Sequence, residues 1–182
     1  MKQSTILALD LGTKMGWAVK KWEILPIEGI THTQHTYDQV DVTYDHFDKR
    51  FIIDGKVSGW VDFSNKRFEG GGMRYLRFMK WLDEMRDNLK KIDEVYFEEV
   101  RRHMGVDAAH AYGGFMAQLT SWCEKNCIPY QGVPVKTIKK HITGKGNANK
   151  QMVLDAVKSR GYDVSNDNEA DALALLIYVK ER

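Results

Sequence analysis

Residues 6–19 constrain most strongly what this chain can fold into. The segment contains two apolar runs, each typical of a buried strand, and Asp10 stands where the first run stops. Because Gly12 and Gly16 let the backbone turn tightly, we predict two antiparallel strands joined by a short turn. Aspartate is a common turn former, so Asp10 either begins the turn or presents its carboxylate at the edge of a sheet.

The length and the charge distribution favour one soluble domain with a basic face. A chain of 182 residues is typical of a single domain. The formal net charge is only +2, yet residues 133–150 carry five lysines and one histidine without any acid. Residues 23–54 are instead rich in Asp and Glu. A near-neutral total can therefore conceal a surface that attracts an anionic partner.

The cysteines and the absence of long apolar runs indicate a reducing compartment. Cys123 and Cys127 form no CxxC pair and no zinc pattern, so we expect two reduced thiols. The N-terminus does not resemble a signal peptide, and no apolar run reaches the roughly 18–20 residues of a membrane span. We therefore expect a cytoplasmic protein without a membrane partner.

Periodicity predicts strands first and then strands alternating with helices, which indicates an α/β fold on one mixed sheet. We expect Gly113 and Gly114, inside a predicted helix, to allow close packing against another backbone. In the insertion at about residues 21–55, Asp54-Gly55 predicts a hairpin turn between two short strands. The predicted strands span residues 4–10, 15–20, 36–44, 51–53, 57–63, 95–99 and 128–133, and the predicted helices span 73–89, 107–125, 135–142, 150–160 and 168–180.

Acidic residues at the ends of these elements predict a metal site. Asp10 and Glu98 end strands, and Asp171 is predicted in the first turn of the last helix, with Asn168 on the same helical face. Clustered carboxylates repel one another unless cations neutralise them, and hard divalent ions prefer oxygen ligands. Two ions about 3.5–4 Å apart could then promote phosphodiester hydrolysis. Asp167 or Asn168 could instead be only the helix N-cap.

The chain resembles the RuvC family of Holliday junction resolvases, in particular the phage and prophage members. The resemblance implies the RNase H-like fold, with a central mixed five-stranded sheet flanked by helices and an additional β-rich insertion. It covers nearly the whole of one nuclease domain, residues 1–182, except about 21–55. The matching segments are residues 9–13 with 16–18, then 95–100, 107–114, 132–135, 139–150 and 167–174.

The resemblance also implies site residues and partners. The family's carboxylate ligands fall on Asp10, Glu98 and Asp171, and a fourth position falls on Asn168, where many members have an acid. The implied cofactor is Mg²⁺, replaceable by Mn²⁺, with two ions per site. The implied partner is branched DNA (four-way junctions, forks or flaps), which a homodimer cuts by paired nicks. Asp167 or Glu169 could compensate for the neutral Asn168.

Basic residues near these acids predict the DNA-binding surface. Lys139 and Lys150 match lysines that the family uses near the scissile phosphate, and Lys150 is predicted to be catalytic. Arg101 and Arg102 stand where the family has an aromatic wedge. We expect ammonium and guanidinium groups beside the acidic site to track the DNA backbone. The predicted DNA-binding residues are Lys136, Lys139, Lys140, Lys145, Lys150, Arg101 and Arg102.

Two other functions stay open on the sequence. A junction-binding protein without cleavage is compatible with the neutral Asn168 and with Arg101. An ATP-binding domain of the actin and sugar-kinase type also begins with an apolar strand followed by Asp, Gly and Thr. Such proteins need about twice this length and a second glycine-rich phosphate loop, so this hypothesis is the weaker of the two.

Overall fold

The computed structural model describes residues 4–26, 40–45, 50–101 and 105–182, with the backbone alone for residues 21–26, 40–45 and 50–57. An N-terminal group of four strands is followed by helices and strands that alternate as far as the last strand, and then by two further helices after the helix that follows it. The elements are β1 (Ile6–Asp10), β2 (Lys14–Pro26), β3 (Val40–Asp45), β4 (Arg50–Asp62), α1 (Met73–Leu89), β5 (Glu94–Glu99), α2 (Val106–Lys125), β6 (Tyr130–Pro134), α3 (Val135–Thr143), α4 (Lys150–Ser159) and α5 (Asp167–Glu181).

The six strands form one mixed sheet in the order β3-β4-β2-β1-β5-β6. The pairs β1–β5 and β5–β6 are parallel, and the other neighbouring strands are antiparallel. Strands β4, β2, β1, β5 and β6 form the predicted mixed five-stranded arrangement. The insertion adds β3 as a sixth strand at the edge of this sheet, and it lengthens β2 and β4. The described strands of the insertion therefore belong to the central sheet.

The predicted hairpin turn at Asp54-Gly55 is wrong. Strand β4 runs without interruption through both residues, which pair with Trp22 and Lys21 of β2. On its other side, β4 pairs in the same way with β3. An Asp-Gly pair favours a turn only locally, whereas two flanking strands here hydrogen-bond this part of the backbone into the sheet. The connection between β3 and β4 lies outside the described residues.

Side chains on the two faces of the sheet pack into two separate hydrophobic cores. Leu7 and Leu9 of β1 point to the face that α1 and α2 cover, where Phe78 and Phe115 pack edge to face with their ring centroids 5.2 Å apart. Ala8, on the opposite face of β1, belongs to the core that α3, α4 and α5 cover. Because Ala8 pairs with Ala18 of β2 on this face, the very apolar helix α5 lies close against the sheet.

The paired glycines of α2 have different surroundings. A Cβ on Gly114 would lie 2.3 Å from the hydroxyl oxygen of Tyr75 in α1, whereas a Cβ on Gly113 would meet no atom within 4 Å. The predicted close approach is therefore found at Gly114 alone. Its neighbour is an aromatic ring rather than the predicted backbone, because Tyr75 is held edge to face against Phe115 with a centroid distance of 5.1 Å.

Candidate active site

The site lies at one end of the sheet, where β1 and β5 finish. These strands are parallel and pair Leu9 with Phe97, so Asp10 and Glu98 end side by side. Helix α5 crosses this edge and brings Asp171. One carboxylate oxygen from each of the three residues lies within 4.8 Å of the others. The predicted proximity of these acids is observed, while their role as metal ligands stays a prediction.

Gly16 determines how closely α5 approaches the sheet. It is the cross-strand partner of Asp10, and a Cβ on Gly16 would lie 1.8 Å from the carbonyl oxygen of Asn168. Its φ is not positive, so a close approach of two backbones, rather than the predicted tight turn, requires glycine here. Any residue with a Cβ at this position would prevent the first turn of α5 from lying directly on β2.

Burial and mutual repulsion raise the pKa of all three carboxyls. Burial contributes most at each of them. Glu98 raises the pKa of Asp10 further, both by its charge and by accepting a hydrogen bond from the Asp10 carboxyl. Burial and the charge of Asp10 raise the pKa of Asp171 to about 7. A buried group of acids that resist ionisation is the environment in which a bound cation is most stabilising.

Two lysines oppose this repulsion. Lys150, the first residue of α4, forms an ion pair with Asp167, and its charge lowers the pKa of Asp10, Glu98 and Asp171. Lys139 of α3 has the same effect on Glu98 and Asp171. The Lys139 ammonium donates a 2.9 Å hydrogen bond to the Ala148 carbonyl. Cationic groups therefore border the acidic cluster.

The start of α5 differs from the prediction in two ways. The N-cap is Asn166, whose side chain accepts a hydrogen bond from the Glu169 backbone amide at 2.9 Å. Neither Asp167 nor Asn168 is the cap. Because the helix begins at Asp167, Asp171 lies in the second turn rather than the predicted first. Asn168 stays three residues before it on the same helical face.

Glu169 does not complete the acidic cluster. Its carboxylate is buried and accepts hydrogen bonds from the Ser58 hydroxyl at 2.7 Å and from the Ser165 hydroxyl at 2.6 Å. It also accepts a 2.9 Å bond from the Ser165 amide. These bonds satisfy both carboxylate oxygens, so Glu169 ties α5 to β4. Asp167 is bound to Lys150 instead. The hypothesis that a flanking acid replaces Asn168 is therefore unsupported for Glu169.

Four of the remaining predicted DNA-binding residues lie on the surface. Lys136 and Lys140 are exposed on α3, and Lys145 is exposed in the loop that follows. None of these three forms an ion pair within the described part of the chain. Arg101 is exposed after β5 and forms an ion pair with Glu99 at 3.2 Å, outside the acidic cluster. Arg102 lies outside the described residues.

The loop of residues 144–147 lies close against α3, beside these lysines. Gly144 ends α3 with φ at 78° and donates its amide hydrogen to the Lys140 carbonyl at 2.9 Å. A Cβ on Gly146 would lie 3.2 Å from the Lys136 carbonyl oxygen. The glycines thus let the loop lie against α3, and the exposed lysines share one surface with Lys139.

Comparison with solved structures identifies the fold. Over 96% of this chain and 92% of the other, it superimposes on Thermus thermophilus RuvC with a TM-score of 0.64 and 17% identity. The T. thermophilus RuvC complex with Holliday junction substrate gives 0.66 at the same identity and coverage. The chain has the RuvC fold. The yeast mitochondrial Holliday junction resolvase also matches, with a TM-score of 0.53 and 11% identity over 97% of this chain and 77% of that one.

Sequence comparison supports the same relationship. A crossover junction endodeoxyribonuclease RuvC from Brachyspira hyodysenteriae is 29% identical over 104 residues. The aligned region covers 57% of this chain and 62% of that protein, less than two thirds of its length. No protein-family model matches the chain. The resemblance to the RuvC family and the RNase H-like fold are thus confirmed, and the actin and sugar-kinase hypothesis is not favoured.

Among the described residues, no helix is both long and apolar enough to cross a bilayer.

The contribution of Gly16 to the site was not predicted from the sequence, which suggested only a turn. The signal was nevertheless present, because a glycine inside a strand often marks a close backbone approach.

Proposed function

We propose that this protein is a divalent-metal-dependent endonuclease that cuts branched DNA. The observation that carries the proposal is the partly buried cluster of Asp10, Glu98 and Asp171, in which one carboxylate oxygen of each residue lies within 4.8 Å of the others, beside two lysines. Carboxylate oxygens are the ligands that Mg²⁺ and Mn²⁺ prefer. When bound, two such ions would activate water and stabilise the leaving oxygen of a phosphodiester.

The chain's own residues would hold the substrate in place. Asp10, Glu98 and Asp171 would bind the ions, and Asn168 would add a neutral oxygen from the same helical face as Asp171. Lys150 and Lys139, which border the carboxylates, would hold the scissile phosphate and stabilise negative charge that develops there. The exposed lysines at 136, 140 and 145, with the arginines at 101 and 102, would contact more distant phosphates and fix the orientation of the duplex arms.

The choice of substrate follows from the comparisons. The T. thermophilus protein of the same fold was solved with a Holliday junction, and the yeast neighbour is named as a resolvase. We infer a four-way junction or a related branched DNA as the substrate here. A homodimer with two equivalent clefts would make paired nicks in such a junction. We place this activity, with Mg²⁺ as the physiological ion, in the cytoplasm of a bacterial cell or of a phage-infected host.

The decisive test is cleavage of an end-labelled immobile four-way junction beside a fork, a flap and plain duplex. Each substrate is incubated with Mg²⁺, with Mn²⁺ and with EDTA, using the wild type and Asp10→Asn. We expect symmetric nicks in the junction that disappear in EDTA and in the variant. Cleavage that persists in EDTA would refute the proposal. Equal cutting of every branched substrate would broaden it to a debranching nuclease.

A second function, junction binding without cleavage, is favoured by one observation. Asn168 stands where many family members carry an acid, and the buried Glu169 is fully engaged with Ser58 and Ser165. The cluster of three acids would then hold metal too weakly for catalysis. This alternative predicts structure-selective binding with no product at any metal concentration, and Asn168→Asp would restore cleavage if it holds.

A further inference from the structure

Trp60 is an exposed aromatic residue in the same row of the sheet as the acidic cluster. It pairs with Gly16 across β2 and β4, and Gly16 pairs with Asp10 across β1 and β2. Directly opposed residues of antiparallel strands project from the same face. With strands about 4.8 Å apart, the Cα atoms of Trp60 and Asp10 are separated by roughly 10 Å.

The hydrogen bonds of β4 place Trp60 on the side of α5. Ser58 precedes it by two residues and therefore shares its face, and the Ser58 hydroxyl donates a 2.7 Å hydrogen bond to Glu169 of α5. A Cβ on Gly16 would reach the backbone of Asn168 on the same face. The first turn of α5 thus lies over Gly16, with the acidic cluster on one flank and Trp60 on the other.

Trp60 is not used to cover the hydrophobic core. Its exposed fraction is 46%, whereas Trp122 is 1% exposed. The neighbouring Lys14 is exposed and pairs with Asp62 across the strands. An exposed indole at the rim of a nucleic-acid-binding cleft can hold a base by stacking. Every base presents a π-face on which an aromatic ring can stack.

We propose that Trp60 is a stacking platform for an unpaired base near the branch point of the DNA substrate. The inference rests on the proposed endonuclease function and extends it to a residue that would select unpaired over paired DNA. The Cα atoms of Asp10 and Trp60 are roughly 10 Å apart, which is the least distance that a strand leading past the start of α5 has to cover. A stacked nucleotide spans about 3.4 Å and an unstacked one spans more, so three nucleotides cover at least this distance, and we expect the base on Trp60 to lie within three nucleotides of the scissile phosphate.

The test compares Trp60→Leu, which keeps apolar bulk, with Trp60→Phe, which keeps an aromatic ring. Junction affinity is measured in EDTA by fluorescence anisotropy, and single-turnover cleavage is measured with Mg²⁺. Trp60→Leu should weaken junction binding roughly 5- to 150-fold, the range that removal of one base–aromatic stack produces. Trp60→Phe should remain within about threefold of the wild type, and plain-duplex binding should change little in either variant.

A positional probe makes the test sharper. The base analogue 2-aminopurine is placed at one, two, three and six nucleotides from the cleaved phosphate. Binding of the wild type should quench its fluorescence at one position within the first three, and Trp60→Leu should remove that quenching. The matched control is Tyr130→Leu, because Tyr130 is 37% exposed and begins β6 at the end of the sheet away from the acidic cluster. This control should change neither signal.

Three results would overturn the inference while leaving the endonuclease function intact. One is wild-type junction affinity in Trp60→Leu. Another is equal loss for junction and plain duplex that Trp60→Phe does not rescue, which would indicate a purely structural role. The third is a change of oligomeric state without a change of junction affinity, which would mean that a second copy of the chain covers Trp60. A wild-type protein that cuts no branched DNA would refute the underlying function instead.

Discussion

The backbones of Gly16 and Asn168 are in direct contact, so a Cβ on Gly16 would lie 1.8 Å from the Asn168 carbonyl oxygen. Gly16 is the cross-strand partner of Asp10, and Asn168 precedes Asp171 by three residues in α5. This single contact therefore sets the separation between the carboxylate at the end of β1 and the carboxylate on the helix.

Gly16→Ala should remove activity by displacing the start of α5. A displacement of about 1 Å at a reacting centre can cost on the order of 100-fold in rate, and we expect at least that loss in metal-dependent cleavage. Gly113→Ala is the matched control, since a Cβ there would meet no atom within 4 Å. It should retain full activity and gain up to about 1 kcal/mol of stability. Wild-type cleavage by Gly16→Ala would contradict the role of this contact.

The stability of the metal-free protein should fall as the pH rises from about 4 to 7. The pKa of Asp171 is raised from 3.8 to about 7 in the folded state, so the folded state holds a proton that the unfolded chain has released. Stability decreases with pH wherever the folded state binds more protons. Thermal unfolding in EDTA across this pH range measures the effect. Saturating Mg²⁺ or Mn²⁺ should reduce the slope, because the ions stabilise the ionised carboxylates.

Asp10→Asn should stabilise the metal-free protein while abolishing cleavage. The charge of Asp10 is the largest contribution after burial to the raised pKa of Asp171. Removing it relieves repulsion at neutral pH. Each kcal/mol shifts the Tm of a domain this size by about 2–4 °C, and we expect an increase of roughly 2–8 °C in EDTA at pH 8. The increase in Tm on adding Mg²⁺ should be lost, and an unchanged metal response would argue against Asp10 as a ligand.

Lys150 and Lys136 should have separable effects on catalysis and binding. Lys150 lowers the pKa of all three carboxyls. Lys150→Met should therefore shift the rising limb of the pH–rate profile to higher pH and reduce the single-turnover rate by about 100-fold. Lys136 is exposed on α3. Lys136→Met should leave the saturated rate unchanged and reduce the salt dependence of binding by about one ion. Identical pH profiles for wild type and Lys150→Met would refute the assignment of Lys150.

Asn168→Asp should lower the stability of the metal-free protein and raise its affinity for metal. The substitution adds a fourth carboxylate on the helical face that carries Asp171. We expect a lower Tm in EDTA, since another acid joins a cluster that already repels itself, and a Mn²⁺ dissociation constant about tenfold smaller. Calorimetric titration of both proteins with Mn²⁺ measures the difference. Asn168→Ala provides the control that lacks any oxygen ligand. Equal Mn²⁺ affinity in all three proteins would place Asn168 outside the metal site.

Local sequence patterns predicted the helices well. The bounds of α1, residues 73–89, agree with the structure because a long apolar stripe at helical spacing identifies a helix without tertiary information. The prediction at Asp54-Gly55 failed because the turn preference of two residues is outweighed when strands pair on both sides. The order and spacing of the acidic residues also indicated that Asp10, Glu98 and Asp171 would meet, since carboxyl ends of neighbouring parallel strands share one edge.

The sequence by itself determined the α/β class, the position of the helices and the identity of the clustered acids, because periodicity and residue type are local properties. Only the tertiary structure decided what each neighbour of those acids does. It placed Glu169 against Ser58 and Ser165, away from the cluster, and paired Lys150 with Asp167. It also put Gly16 beneath Asn168 and Trp60 beside it in the same row. These assignments depend on register across the sheet and on the docking of α5, contacts between residues as far as 152 positions apart in the chain.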